Sequence, residues 1–271
     1  MKYCVPYAKH FNYLAEVDEI IFQYGFATNE DLIHNLAVQE DKFKSKRIII
    51  EVLNNTYFID KNTLKGIIEL KNRDFNIALK FLKYEEEFED LFNTIKENKI
   101  DFFFGTWVRD WDTLRGLVDL GVSDIYIVEN LGFELDLIGR LAVESGISIR
   151  VFANVCQTSW KKSDPIKSFF IRPEDVSFYD LYVDVIEFYG KETNIQNVMF
   201  RVYAKEKKWF GNLKEIIIGL DKDIDSRSLP PMFAARRVNC GKRCIKDGKC
   251  NICDRIIESE KVLKDKGFYF K

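Results

Sequence analysis

Histidine is almost missing from this chain. His10 and His34 are the two present in 271 residues, so a nucleophile that needs an imidazole base has only those two partners to draw on. Long apolar runs are missing as well. No stretch approaches the eighteen or so residues of a membrane span, and the opening Met1–Tyr7 lacks the apolar run of a signal peptide. No membrane association and a cytoplasmic location are therefore expected. Net charge is nearly absent, at −2, so no whole-protein field draws the chain to nucleic acid or anionic lipid. Cysteine is too scarce and too local, with 6 residues of which four are clustered, for a disulfide framework. No Gly-rich dinucleotide fingerprint follows the first strand-like run, and no low-complexity tract occurs.

What is present is globular in character, with 46% hydrophobic and 31% charged residues. The length suits one domain of α/β-barrel size or two small ones. Short Ile/Val/Phe-rich runs at 19–24, 47–52, 76–82, 101–104, 124–128, 148–153, 168–171 and 184–188 read as strands buried on both faces. Helix signals alternate with them. Asp110 caps a run carrying Leu114, Leu117 and Val118 that Gly121 ends, Phe88, Leu91, Phe92 and Ile95 recur at helical spacing, and Pro173 opens the turn before Glu174. Strand and helix in alternation imply a parallel sheet, and eight such strands imply a (β/α)8 barrel of the TIM type. Strands seven and eight start close together, so the barrel is expected to be irregular there. An open doubly wound sheet is the runner-up. The expected division is a barrel over 1–220 and a cysteine-rich extension over 221–271 packed on it.

In such a barrel the reactive residues sit at the C-terminal ends of the strands. There the sequence places Glu129, Asn154, Cys156, Arg172 and Glu187. Glu129, Asn154, Arg172 and Glu187 form the candidate catalytic set, since carboxylates beside an arginine can move protons and hold a polar substrate. Cys156 is a candidate nucleophile only if one of the two histidines reaches it; otherwise it is a small core residue.

Cys240, Cys244, Cys250 and Cys253 form a C-x3-C-x5-C-x2-C cluster with Gly241 and Gly248 between them. Four soft thiolates this close suit a [4Fe–4S] cluster or, as the alternative, a structural zinc. Around them seven cationic residues, among them Arg236, Arg237 and Arg255, outnumber Asp247 and Asp254. That local patch offsets the charge of a thiolate-bound metal, or contacts nucleic-acid phosphates.

Three stretches carry a family resemblance: Ser148–Asn154, Phe169–Val176 with its Pro173-Glu174 step, and Val183–Gly190. Together with the barrel order and the downstream cysteines they resemble the collagenase-like peptidase U-thirty-two (U32) family. The resemblance implies a barrel, four cysteines holding a [4Fe–4S] cluster, and either peptidase activity or oxygen-independent hydroxylation of an RNA base or a small aromatic precursor. Only the four cysteines map onto the family's ligands, and their compact spacing departs from its pattern. The leading expectation is an iron–sulfur modification enzyme; the alternatives are a zinc-knuckle adaptor that binds nucleic acid and a U32-like peptidase.

Overall fold

A computed structural model of the chain describes residues 1–8, 10–22, 29–52, 59, 61–84, 88–105, 107–108, 110–127, 135–156, 169–190, 192–220, 223–231, 233–237, 253, 255 and 258. Within them the strands are β1 (Lys2–Pro6), β2 (Glu19–Phe22), β3 (Arg47–Val52), β4 (Asn76–Phe81), β5 (Asp101–Phe104), β6 (Trp107–Val108), β7 (Asp124–Ile127), β8 (Ser148–Phe152) and β9 (Val185–Glu187). All pair in parallel, in the order β5-β4-β3-β2-β1-β9-β8-β7-β6. β5 and β6 are halves of one strand broken around Gly105, which leaves eight strand positions.

The two ends of that order meet. Ser123, at the start of β7, donates from its amide to Phe102 O in β5 at 2.9 Å. Side chains also reach across the middle: Lys80 of β4 touches Glu187 of β9, and Arg47 of β3 touches Asp124 of β7. Strands so far apart in an open sheet could not meet, so the sheet curls into a nearly closed, TIM-like α/β barrel.

The outer layer is helical. It comprises α1 (Asn29–Val38), α2 (Glu40–Phe43), α3 (Lys61–Asn72), α4 (Glu89–Glu97), α5 (Trp111–Asp119), α6 (Leu135–Ser145), α7 (Val176–Tyr179), α8 (Thr193–Phe200) and α9 (Phe233–Arg237). Their apolar stripes supply buried side chains such as Ile67, Leu70, Phe92, Ile95 and Leu114. Asp110 caps α5 by accepting from the Thr113 amide at 2.8 Å, and Gly121 beyond that helix takes φ 74°, a conformation that costs a residue with a Cβ. No helix among the described residues is long and apolar enough to cross a membrane.

Two strand expectations need correcting. Lys2–Pro6, which no periodicity singles out, is β1 and lies between β2 and β9. The 168–171 run, read as strand seven, supplies no strand between β8 and β9, which pair directly through Arg150–Val185 and Phe152–Glu187. Phe169, Phe170 and Ile171 are buried all the same, with Phe170 against the Phe233 ring and Ile171 O accepting from Tyr203 OH. A short apolar run reports burial, and here a layer outside the sheet satisfies it. The irregularity expected near the end of the barrel therefore has a definite form: an extra buried segment and the four-residue α7 between β8 and β9.

Candidate functional site

The barrel interior is ionic over most of its height. Near the N-terminal ends of the strands, Arg47 donates to both oxygens of Asp124 at 2.8 Å and to Asp101 at 3.1 Å. One level higher, Arg150 donates to Glu19 at 2.6 Å, to Asp124 at 2.9 Å and to Glu187 at 3.2 Å. Glu187 passes the chain of contacts upward. Its Oε2 accepts from Tyr126 OH at 2.5 Å and its Oε1 lies 3.3 Å from Lys80 Nζ. Lys80 in turn lies 3.4 Å from Glu51 Oε1. These residues come from seven different strands, so only the closed sheet assembles them.

Above Lys80 a cavity of about 400 Å³ opens at the C-terminal ends of the strands, where barrel chemistry is sited. Its walls are apolar, with Val52, Phe81, Leu82, Phe152, Val155 and Ile218, and its charged groups are Lys80 and Glu51. The Glu51 side chain is 24% exposed whereas that of Glu187 is 3% exposed. Glu51 therefore reaches the cavity while Glu187 anchors Lys80 from below. Lys80 also lies over the Tyr126 ring at 5.0 Å, a cation–π contact. Gly105 clears its path, because a Cβ there would stand 3.2 Å from Lys80 Cε.

The charge states follow from these contacts. Burial by itself would lower the Lys80 ammonium, but Glu187, Tyr126 and Glu51 outweigh it and hold the amine well above its ordinary range, so it stays a cation. Burial and the Glu187 charge push the Tyr126 phenol up, so it stays a neutral donor. Burial pushes the Cys4 thiol up too, which keeps it protonated inside the barrel.

Asp124 goes the other way. Burial would raise it, yet Arg150, Arg47 and Ser123 bring it down from 3.8 to about 2. A carboxyl depressed in the folded state adds stability that is complete above its unfolded value and is lost as pH falls through the folded one. About 2 kcal/mol should therefore disappear between roughly pH 4 and roughly pH 2. Urea midpoints across that window should fall less steeply for Asp124→Asn than for the wild type, and parallel curves would contradict this.

Of the sequence-derived candidates, Glu187 stands beneath the cavity. Asn154 does not offer its side chain to a substrate there. It is buried and clamps the ends of β8 and β9, donating to Tyr189 O at 2.8 Å and accepting from the Tyr189 amide at 2.7 Å. Arg172 stands away from the mouth cavity. It lies in the layer outside the sheet, bidentate on Asp175 at 2.6 and 2.9 Å, donating to the Pro230 carbonyl at 3.1 Å and stacked over Phe233 at 5.4 Å. Its placement followed from counting 168–171 as a barrel strand. Cys156 is buried, and its amide donates to Ile218 O at 2.8 Å; His10 and His34 are exposed.

Glu129, Cys240, Cys244 and Cys250 lie outside the described residues. Cys253 is described, helical and half-buried against the core. Arg237, counted in the basic patch, is buried and stacks on Phe170 and Phe233 at 5.3 and 4.9 Å, so it presents no charge to a phosphate. Among the described residues no group of three or more His, Cys, Asp or Glu is placed to hold a metal ion.

Lys80, Glu51, Arg150, Glu19, Asp124 and Tyr126 escape a search confined to strand ends. Their signal was a charge inside an apolar run: Lys80 in Ile77–Leu82, Arg150 in Ser148–Phe152 and Glu51 in Ile48–Val52. An ion amid residues destined for burial needs partners, and the partners come from other strands.

No family model matches the chain. An uncharacterized protease of Methanocaldococcus jannaschii is 34% identical over 113 residues, which is 39% of this chain and 32% of that protein. The match thus spans about a third of the relative. Over those residues the chain is similar to that protease. Among solved structures, tryptophan synthase from M. tuberculosis in its aminoacrylate-bound form aligns at TM-score 0.45 and 11% identity, over 81% of this chain and 91% of that one. The U32 peptidase Mk0906 aligns at TM-score 0.39 and 10% identity, over 71% and 94%. At these scores the structural alignments carry no argument, and the fold stands on its strand pairing.

Proposed function

We propose that this chain is a peptidase-like hydrolase whose reaction centre is Lys80 with Glu51 at the barrel mouth. The observation that supports this most is a lysine amine at the base of an apolar cavity, held between two carboxylates from different strands. The name of its archaeal relative, a protease, points the same way.

In this reading the substrate amide enters the cavity with its carbonyl oxygen toward Lys80 Nζ. Glu51, the carboxylate that reaches the cavity, takes a proton from a water. The water oxygen bonds to the carbonyl carbon, and the π electrons move to the oxygen, where the ammonium stabilises the negative charge. Collapse of that intermediate breaks the C–N bond, and Glu51 returns its proton to the leaving amine. Glu187 and Tyr126 position Lys80 and take no part in proton transfer.

The test is incubation of the purified chain with a mixture of synthetic peptides, with products identified by mass spectrometry. Cleavage is expected in the wild type, reduced roughly 10²–10³-fold in Lys80→Met, the loss typical of one oxyanion donor. A chain that cleaves nothing, or a Lys80→Met variant that cleaves as well as the wild type, overturns the reading. Circular dichroism of the variant separates lost chemistry from lost fold.

A metal centre at Cys240, Cys244, Cys250 and Cys253 is a second, compatible reading. It is supported by the four-thiolate donor set and by the position of Cys253 against the core. A [4Fe–4S] cluster there would supply electron transfer, the chemistry that hydroxylation of an RNA base or an aromatic precursor requires, whereas zinc would supply only a rigid loop. Anaerobic purification followed by iron, sulfide and zinc analysis distinguishes the two. Iron and sulfide in near-equal amounts are expected, and a colourless zinc protein would exclude the cluster.

A further inference from the structure

Beyond Phe152 the chain of β8 continues past the mouth, and Ile216–Ile218 lies beside it. Val155 and Ile218 form a parallel bridge. The Ile218 amide donates to Asn154 O at 2.8 Å, and the Cys156 amide donates to Ile218 O at 2.8 Å. This short ribbon is a partition. On one side Val155 and Ile218 wall the mouth cavity above Lys80. On the other side Asn154 and Ile218 wall a second cavity of about 310 Å³. Val155 thus borders the mouth cavity and Asn154 the second one.

The second cavity is lined mostly by apolar side chains. Ile195, Val198 and Met199 of α8 line it together with Ile216, while Lys214 and Glu215 supply its charged groups. Ile218 borders both cavities and is 44% exposed, and Ile195 is 37% exposed. A polymer lying across Ile218 can thus reach both Lys80 and a mostly apolar hollow with room for a large side chain.

We infer that the second cavity is a subsite for a large apolar side chain, that of leucine, methionine or phenylalanine. It flanks the amide whose carbonyl sits at Lys80, so the substrates are peptides with such a residue beside the cleaved bond. The inference rests on the hydrolase reading, and the experiment tests the two separately.

N-acetyl-leucine amide and N-acetyl-glycine amide are titrated into the wild type, Ile195→Trp and Ile218→Ser, with binding followed by NMR. Both substitutions fall on partly exposed side chains, and circular dichroism checks each fold. The wild type should bind the leucine amide roughly tenfold or more tightly than the glycine amide, as expected for removing one leucine side chain from water. Ile195→Trp narrows the cavity and should bring that ratio toward one. Equal binding by the wild type, or a ratio unchanged in both variants, overturns the subsite. Cleavage of the peptide mixture then separates the claims. Leucine-selective binding with no cleavage overturns the hydrolase reading and keeps the pocket. Cleavage with no apolar preference beside the broken bond overturns the pocket and keeps the hydrolase.

Discussion

Arg150→Met should destabilise the protein by about 3–5 kcal/mol, the usual result of removing one partner from a buried ionic cluster. Arg150 has no exposed surface and serves three carboxylates, Glu19, Asp124 and Glu187, from three other strands. It also lies over the Phe103 ring at 5.1 Å. Methionine occupies a similar space, so the loss is one of charge more than of volume. Without the guanidinium, Glu19 keeps only Arg47, at 3.6 Å, and Glu187 keeps Lys80 and Tyr126. Three anions then share the barrel interior with too few cations. Since whole domains are stable by about 5–15 kcal/mol, the variant should approach the unfolding threshold at room temperature. The urea midpoint measures this. The double variant Arg150→Met, Glu19→Gln should recover part of the loss, because it removes an anion that has lost its partner. An Arg150→Met midpoint within about 1 kcal/mol of the wild type would show that water or relaxation compensates the cluster and that the charges are not tightly coupled.

Glu51→Gln should reduce peptide cleavage by roughly 10²–10⁴-fold, the range for removal of a general base. The substitution keeps the shape of the side chain and replaces its charge by an amide. Glu51 is the more exposed of the two carboxylates on Lys80, so its replacement leaves the ionic interior intact. Stability should change little, and the effect should fall on kcat with KM nearly unchanged, since an amide can still meet the substrate but cannot take a proton from water. Glu187→Gln supplies the contrast. That residue holds Lys80 and Tyr126 from below, so its loss should lower stability and activity together. If Glu51→Gln retains full kcat, the base lies elsewhere and the mouth is at most a binding site.

Most of the ionic centre lies away from the strand ends at which barrel chemistry is expected, for two physical reasons. First, the rule depends on counting strands. One apolar run, 168–171, supplies no strand between β8 and β9, and one true strand, Lys2–Pro6, shows no period. The miscount placed Arg172 in a cavity it never enters. Second, a charge inside a strand carries no local sign of its partners. Only the partner from another strand turns such a residue into part of a site. Glu187 was legible because it is both at a strand end and within that network.

Local chemistry written along the chain was enough to determine the alternation of apolar runs and amphipathic helices, hence a parallel α/β sheet, and the clustering of four thiols. Each depends on residues near one another in sequence. The closure of the sheet, the pairing of Lys80 with Glu51 and Glu187, and the partition at Ile218 were decided by tertiary structure alone. Those contacts join segments up to more than a hundred residues apart, and burial of an ion becomes tolerable only once the folded barrel brings its counter-charge within reach.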